Sequence, residues 1–290
     1  VRGAAAIGID RVKLTGGEPT LRTDLPEIIA RIAPWVDEVS MTTNGLLLES
    51  LAEPLHRAGL ARVNVSLPSL DGPTYHRLTG VDGADRAVRG IRAAQRAGLS
   101  PIKLNVVALA GLTDEKEAVD RLVAFAQEVG AWVQLIEFEN VRGRVDPRIY
   151  RVLHSELGRL REDAAAQAFR TERNRLHGRP RYSFERNGRP VTLEVVQPVE
   201  NPAFCMQCHR LRITSDGLLK GCLMSNAGLV DLASAMRAGD SDSALTELFR
   251  IAVQRRRPFF TGPETPAPSS PDPVMDPLLD GTPLPMVAHP

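Results

Sequence analysis

Short β-type runs alternate with amphipathic helical stretches along the first half of this chain, and that rhythm narrows the fold more than any other feature. The β-type runs cover residues 11–15, 38–43, 62–66, 102–107 and 132–137. Helical periodicity lies between them, near 25–33, 47–58, 84–97 and 114–129. Thr113 is placed to cap the last of these, with acidic residues in its first turn. Gly59, Gly98 and Gly130 each stand just past a helical stretch. Strand and helix at this spacing specify an α/β fold, with a parallel sheet and crossover helices. Small or polar residues follow the strands: Thr15-Gly16-Gly17-Glu18, Thr42-Thr43-Asn44-Gly45, Ser66, Asn105 and Glu137. Any one could be ordinary turn chemistry. Together they describe the rim where such folds bind ligands, at the carboxyl ends of parallel strands.

The second half changes character. Residues 141–200 are Arg-rich, with helical pattern around 148–173 and a strand-like R-Y-S-F-E…V-T-L-E-V-V hairpin across Asn187-Gly188. A cysteine-bearing window follows, then a helix-like stretch over 227–256. The last thirty residues hold nine prolines and little periodicity, and read as a disordered tail. We therefore divide the chain into 1–145, 146–260 and 261–290.

At 290 residues and 43% hydrophobic composition, the chain can bury one large core or two modest ones. No apolar run reaches the roughly eighteen residues of a membrane span. The first ten residues lack the features of a secretory signal, and the sequence does not begin with Met. A net charge of +1 argues against general nucleic-acid binding. Cys205, Cys208 and Cys222 are the three cysteines, spaced C-x2-C and then thirteen residues to the third. Clustered in this way they fit a metal site in a reducing cytoplasm better than a disulfide framework.

Two segments carry chemistry. In Val12-Lys13-Leu14-Thr15-Gly16-Gly17-Glu18-Pro19 a strand ends in two glycines, whose missing Cβ atoms let a ligand approach the backbone. Glu18 and Pro19 would fix the turn. In C-M-Q-C-H-R-L-R, Arg210 and Arg212 alternate as on one face of an extended strand, beside a cysteine. Two guanidinium groups there suit a triphosphate or the stabilisation of a reactive intermediate. A triad of thiolates leaves a fourth metal position open. Ligand type alone favours zinc over an iron–sulfur cluster. His209 adjoins Cys208 awkwardly for the same tetrahedron, and His154 and His177 are remote in sequence.

V-K-L-T-G-G-E-P-T-L-R, S-M-T-T-N-G, R-V-N-V-S-L, I-K-L-N-V-V-A-L, L-I-E-F and the cysteine window with its Arg-x-Arg occur in that order. As an ordered set, from about residue 8 to 256, they resemble the GTP 3′,8-cyclases of molybdenum cofactor biosynthesis, in the radical S-adenosylmethionine (SAM) superfamily. The resemblance implies a partial (β/α)6 barrel of TIM type with a C-terminal region for an auxiliary [4Fe–4S] cluster. It implies that Gly16, Gly17, Glu18 and Ser66 meet SAM, and that Lys13, Thr42 and Lys103 contact GTP. It makes Cys205, Cys208 and Cys222 the ligands of the auxiliary cluster, whose fourth iron faces the guanine base. Arg210 and Arg212 then meet the substrate and take part in catalysis. A cytoplasmic protein is implied as well, with a homodimer as a candidate assembly.

The pattern also departs from that family. Its radical-generating cluster needs C-x3-C-x2-C near the N-terminus, and this sequence has no such motif. The expectation is a chain lacking the barrel's first β/α unit, with an exposed sheet edge, an incomplete SAM site and no radical generation of its own. Pro68 replaces a usual acidic residue, Gln134 and Glu139 replace a usual Arg and Met, and V-A-H-P replaces a Gly-Gly terminus. The alternatives are a non-catalytic nucleotide- and metal-binding protein, or a different radical SAM maturase with an auxiliary cluster.

Overall fold

The side-chain period of the strands divides this molecule into an apolar and a polar layer, visible in a computed structural model that describes residues 1–140, 145–155, 157–173, 179–186, 188–198 and 201–259. Strands β1 (Arg11–Leu14), β2 (Glu38–Thr43), β3 (Leu60–Ser66), β4 (Lys103–Ala108) and β5 (Trp132–Glu137) pair in parallel and in sequence order. Three more, β6 (Arg170–Arg173), β7 (Pro180–Arg186) and β8 (Arg189–Val196), extend the same sheet in the order β1-β2-β3-β4-β5-β8-β7-β6. β8 runs parallel to β5, while β7 and β6 return antiparallel. The sheet therefore runs through the division expected near residue 145. It is an open, partial barrel with β1 at one edge.

Helices α1 (Arg2–Ala5), α2 (Leu25–Ile32), α3 (Leu48–Arg57), α4 (Gly72–Thr79), α5 (Ala84–Arg96) and α6 (Lys116–Glu128) belong to the first half. α7 (Pro147–Leu153), α8 (Leu157–Gln167), α9 (Pro202–Met206), α10 (Ala233–Ala238) and α11 (Asp242–Gln254) belong to the second. On the helix side of the sheet, Val39, Met41, Val63, Val65, Leu104, Val106, Val133, Leu135, Leu193 and Val195 form one buried cluster. Burying side chains of this size contributes about 1.5–3 kcal/mol each. Successive residues point to opposite faces. The other face therefore carries Ser40, Thr42, Arg62, Asn64, Ser66, Lys103, Asn105, Gln134, Thr192 and Glu194. The ladder aligns Asn64 with Lys103, Ser66 with Asn105, and Gln134 with both Asn105 and Glu194. A polar concave face is a binding surface, unlike the packed interior of a closed barrel.

A second layer packs at the end of the chain. β9 (Arg212–Ile213), β10 (Leu218–Lys220) and β11 (Val230–Asp231) form a small antiparallel sheet. Leu219, Val230, Leu232, Phe249 and Ala252 bury against Ala4 of α1. Arg2 Nε meets Asp242 Oδ2 at 2.9 Å, so the two ends of the described chain adjoin.

Several local expectations change. Thr113 does not cap α6, whose N-cap is Glu115. Its hydroxyl instead donates to Val107 O at 2.6 Å and accepts from Leu109 N at 2.8 Å, closing the exit turn of β4. The helical pattern of 148–173 breaks into α7, α8 and β6, because His154 is extended and bridges to Leu109. The stretch 227–256 splits into β11, α10 and α11, with Gly239 at φ +77 between the helices. α4 carries signals that were legible but unused: Asp71 accepts from Thr74 N, Pro73 opens the helix and Gly80 ends it at φ +73. Asn187 and the Pro-rich segment from 260 onward lie outside the described residues.

Candidate functional site

Gly16 and Gly17 turn the chain out of β1 with φ of +93 and +48, backbone that L side chains rarely adopt. A Cβ at either position would meet nothing within 4 Å, so the backbone is open to a ligand. Glu18 is less free than the sequence suggests. Its Oε1 accepts from Thr20 N (3.1 Å), Thr20 Oγ1 (2.6 Å) and Thr43 Oγ1 (2.7 Å), and its Oε2 accepts from Asn44 N (2.7 Å). The carboxylate therefore ties the loop after β1 to the end of β2, and its part in the site is to hold the glycines in place. Ser66 ends β3 and is half-buried; Thr42, also half-buried, pairs with Asn64 on the same face. Glycine pair, Ser66 and Thr42 thus share the carboxyl-terminal rim.

Cations gather beneath that rim. Lys103 Nζ lies 2.6 Å from Glu194 Oε2, with the two side chains 9% and 0% exposed. Arg179 and Arg181 approach the same carboxylate at 3.8 and 3.9 Å. Burial opposes ionisation of Glu194, but Lys103, Arg179 and Arg181 outweigh it and hold the carboxyl below its ordinary range. Trp132 carries two of these cations on its ring, with Lys103 Nζ at 4.9 Å and Arg181 Cζ at 4.7 Å from its centroid. Arg62 is bound to Glu38 at 2.7 Å and donates to Asn64 Oδ1 at 3.2 Å.

Lys13 sits on the open edge strand and keeps substantial solvent contact. Crowding of the concave face, then the fields of Arg62, Arg210, Lys103 and Arg179, still push its ammonium down to about 7. Solvent screening softens the burial part; the surrounding positive charge is the firmer cause. Arg210 is pushed down to about 10 by burial and by Arg179. Glu139 responds to the opposite sign: burial and Glu137 push it up to about 7, against Arg179 and Arg210. Lys13, Lys103, Arg179 and Arg210 therefore share one electrostatic environment, although they come from four separate parts of the sequence.

Cys208 borders this environment, and it, Cys205 and Cys222 are each half-buried. Burial disfavours the Cys208 thiolate, but the Arg210 N–H together with Arg210 and Arg256 outweighs it and lowers the thiol. Arg256 also donates to Cys205 O at 3.2 Å, and its Cα and Cβ lie 3.3 Å from where a Cβ on Gly221 would stand, beside Cys222. Arg212 feels both Cys208 and Cys222. Arg212 Nη1 and Arg256 Nε are buried without a hydrogen-bond partner. Orphaned guanidinium nitrogens beside the Cys208 and Cys222 thiols fit a bound anionic group, and a thiolate-held iron–sulfur cluster is one. Among the described residues, no three His, Cys, Asp or Glu side chains are gathered to hold a single metal ion. His209 is exposed, His154 packs on the Tyr150 ring at 5.1 Å between centroids, and His177 lies outside the described residues.

Sequence reasoning missed Arg62, Arg179, Arg181, Glu194 and Arg256. The period-2 alternation of V-T-L-E-V-V was the available signal for Glu194, an acid within an apolar strand. Gln134 is buried and fills the polar row between Asn105 and Glu194. Pro68 is half-buried just beyond β3.

Comparison with known proteins matches residues 1–123 to the radical SAM superfamily and residues 131–261 to the family described as Molybdenum Cofactor Synthesis C. A "Probable GTP 3′,8-cyclase" of Thermococcus kodakarensis is 44% identical, covering 90% of this chain and 84% of that protein. A protein of the same description from Pyrococcus abyssi is 42% identical over the same shares. One from Thermoplasma volcanium is 41% identical, covering 90% of this chain and 78% of its own.

Proposed function

The chain belongs to the GTP 3′,8-cyclase family of the radical SAM superfamily, and from that premise we propose that its polar sheet face binds GTP beside an auxiliary [4Fe–4S] cluster. The observation that carries the reading is the meeting of Lys13, Lys103, Arg179 and Arg210 in one electrostatic environment that includes Cys208. Like charges on a concave face repel, and the described carboxylates named around it, Glu38, Glu137, Glu139 and Glu194, are fewer than the cations Lys13, Arg62, Lys103, Arg179, Arg181 and Arg210. A triphosphate supplies the missing negative charge and accepts paired hydrogen bonds from guanidinium groups. We assign the phosphates to Lys13, Arg62, Lys103 and Arg210, with Thr42 at the rim.

Cys205, Cys208 and Cys222 would hold the cluster, and Arg212 and Arg256 would donate toward its sulfur atoms. The open backbone of Gly16 and Gly17, with Ser66, would receive SAM, while Glu18 keeps that loop in register with β2. When bound, SAM and the clusters supply the one-electron chemistry of the superfamily. The chain's own part is to orient GTP, to neutralise its phosphates and to present the base toward the cysteines. All three cysteines in these 290 residues belong to this site, so the thiolates for SAM cleavage are not among them.

Anaerobic reconstitution with iron and sulfide tests the cluster. The expected result is about four irons per chain, lost when Cys205, Cys208 and Cys222 are replaced by Ser. Uptake of one zinc with no charge-transfer absorption would overturn it. Arg210→Ala is expected to weaken GTP binding at unchanged iron content; unaltered affinity would remove that residue from the site.

A further inference from the structure

Arg181 of β7 is a cation of the polar sheet face to which the phosphate assignments give no part. The ladder pairs it with Glu194 across the β7–β8 hairpin, and directly opposed residues of an antiparallel pair project from the same face. Arg181 therefore stands on the face that carries Lys103. Its neighbour Tyr182 pairs with Leu193, and both are buried in the apolar layer on the other side.

Groups distant in sequence hold this guanidinium without satisfying it. Arg181 Cζ lies 4.7 Å from the centroid of the Trp132 ring, and Lys103 Nζ lies 4.9 Å from the same centroid. Glu194 Oε2 stands 3.9 Å from Arg181 Nε but 2.6 Å from Lys103 Nζ. At 3.9 Å the contact is electrostatic and too long for a hydrogen bond. Arg181 Nε is buried with no hydrogen-bond partner. Arg179 draws on the same carboxylate at 3.8 Å. A guanidinium that shares one carboxylate with two other cations keeps its capacity for paired hydrogen bonds to phosphate oxygens. The Arg181 side chain is 23% exposed and that of Glu194 is fully buried, so a ligand can reach the cation but not the carboxylate.

We propose that Arg181 is a further phosphate-binding residue of the sheet face, that Trp132 positions it, and that together they make the site selective for a nucleoside triphosphate over a monophosphate. The inference rests on the reading of this face as the GTP site. Selectivity follows from place. Lys103 and Trp132 are the aligned first residues of β4 and β5, so their group with Arg181 lies toward the amino-terminal end of the face. The glycine loop and Ser66 lie at the carboxyl-terminal rim. A nucleoside that meets SAM has to stand near that rim. One phosphate on such a nucleoside stays clear of Arg181, and two further phosphates extend to it.

Trp132 also supplies the test. The chain has two tryptophans, and the other, Trp35, is exposed beside Arg2. In a Trp35→Phe chain the indole fluorescence comes from Trp132 alone. GTP is expected to change that emission and GMP to leave it unaltered, because the longer ligand draws Arg181 and Lys103 off the ring. Calorimetry on the same protein gives both affinities. Arg181→Met should weaken GTP at least tenfold and GMP less than twofold, with a thermal melt to check its fold. Trp132→Leu should reproduce part of that loss, and Trp132→Phe, which keeps a ring face for the cations, should restore it. If GTP binds and still depends on Arg210, but Trp132 emission does not respond or Arg181→Met leaves the ratio of the two affinities unaltered, the role of Arg181 is overturned and the GTP reading stands. Absence of GTP binding would overturn both. The comparison of GTP with GMP on Trp132 emission needs no change at Arg181, so it decides the question even where that variant fails to fold.

Discussion

Lys103 Nζ and Glu194 Oε2 lie 2.6 Å apart, joining β4 to β8 across the whole width of β5. The intervening strand contributes Trp132, whose ring lies under Lys103 and Arg181. One fully buried carboxylate thus organises Lys103, Arg179 and Arg181 on the polar face. Removing a partner from a buried pair leaves an uncompensated charge, which costs about 3–5 kcal/mol.

Glu194→Gln should therefore destabilise the chain by about that amount, read as a lower urea midpoint at unchanged m-value. Lys103→Met with Glu194→Leu should recover part of the loss, and only part, because Arg179 and Arg181 remain. A single variant within 1 kcal/mol of wild type, roughly the worth of a surface pair, would remove Glu194 from this central role.

Lys13 sets a pH dependence for anion binding. Its ammonium titrates near 7 in the free site, and a bound polyanion favours the protonated form. Affinity for GTP should be greatest below pH 7 and fall as pH rises above it, on the order of tenfold by pH 8.5. Lys13→Met should bind more weakly at pH 6.5 and show a flatter profile. Calorimetry at the two pH values separates these outcomes, and equal slopes for both proteins would exclude Lys13 as the cause.

Glu139 acts on stability with the opposite charge. Its folded value of about 7 stands above the roughly 4.3 of an unfolded glutamate. Between those values the folded chain holds the extra proton, so stability falls as pH rises through the window, and the penalty is complete above pH 7. Glu139→Gln should thus stabilise the chain at pH 8, on the order of 1–2 kcal/mol, and have little effect at pH 4.5. Chemical denaturation at both pH values measures the difference.

The glycines of two helices should respond in opposite ways to alanine. A Cβ on Gly90 of α5 would stand 2.2 Å from Gly45 O and 3.1 Å from Leu48 Cβ. That clash outweighs the gain in helix propensity of about 1 kcal/mol, and Gly90→Ala should lose about 2 kcal/mol net. At Gly158 of α8 the new methyl meets nothing within 4 Å, so Gly158→Ala should gain up to about 1 kcal/mol. Thermal melts of the pair give the comparison.

Glu18→Ala should uncouple the glycine loop from β2. Four donors lose one acceptor group at once, two of them on Thr43 and Asn44. A stability loss of about 2–3 kcal/mol is expected, and faster amide exchange at Asn44 and Thr20 should accompany it. Exchange unchanged at Asn44 would contradict the tie between these loops.

The strand–helix rhythm, the glycine turn after β1 and the cysteine spacing were legible because each is local. Period 2, period 3.6 and a residue needing positive φ all act over a few neighbours. Thr113 shows where that reasoning stops: its sequence context suits a cap, but β4 exits beside it and takes its hydroxyl for Val107 O and Leu109 N. The break at His154 likewise follows from a contact with Leu109 that no helical pattern can anticipate.

By itself the sequence determined an α/β chain with a parallel sheet, a rim of small and polar residues at the strand ends and a three-cysteine window. Tertiary structure decided which cations face one another. Lys103 and Glu194 are 91 positions apart, and Arg210 reaches the environment of Lys13 from the other end of the chain. Their meeting depends on β8 adding beside β5 in one register. A shift of that register by one residue would turn Glu194 into the apolar layer and leave Lys103 unpaired. Charge in a sequence is only a count until the ladder assigns each side chain a face.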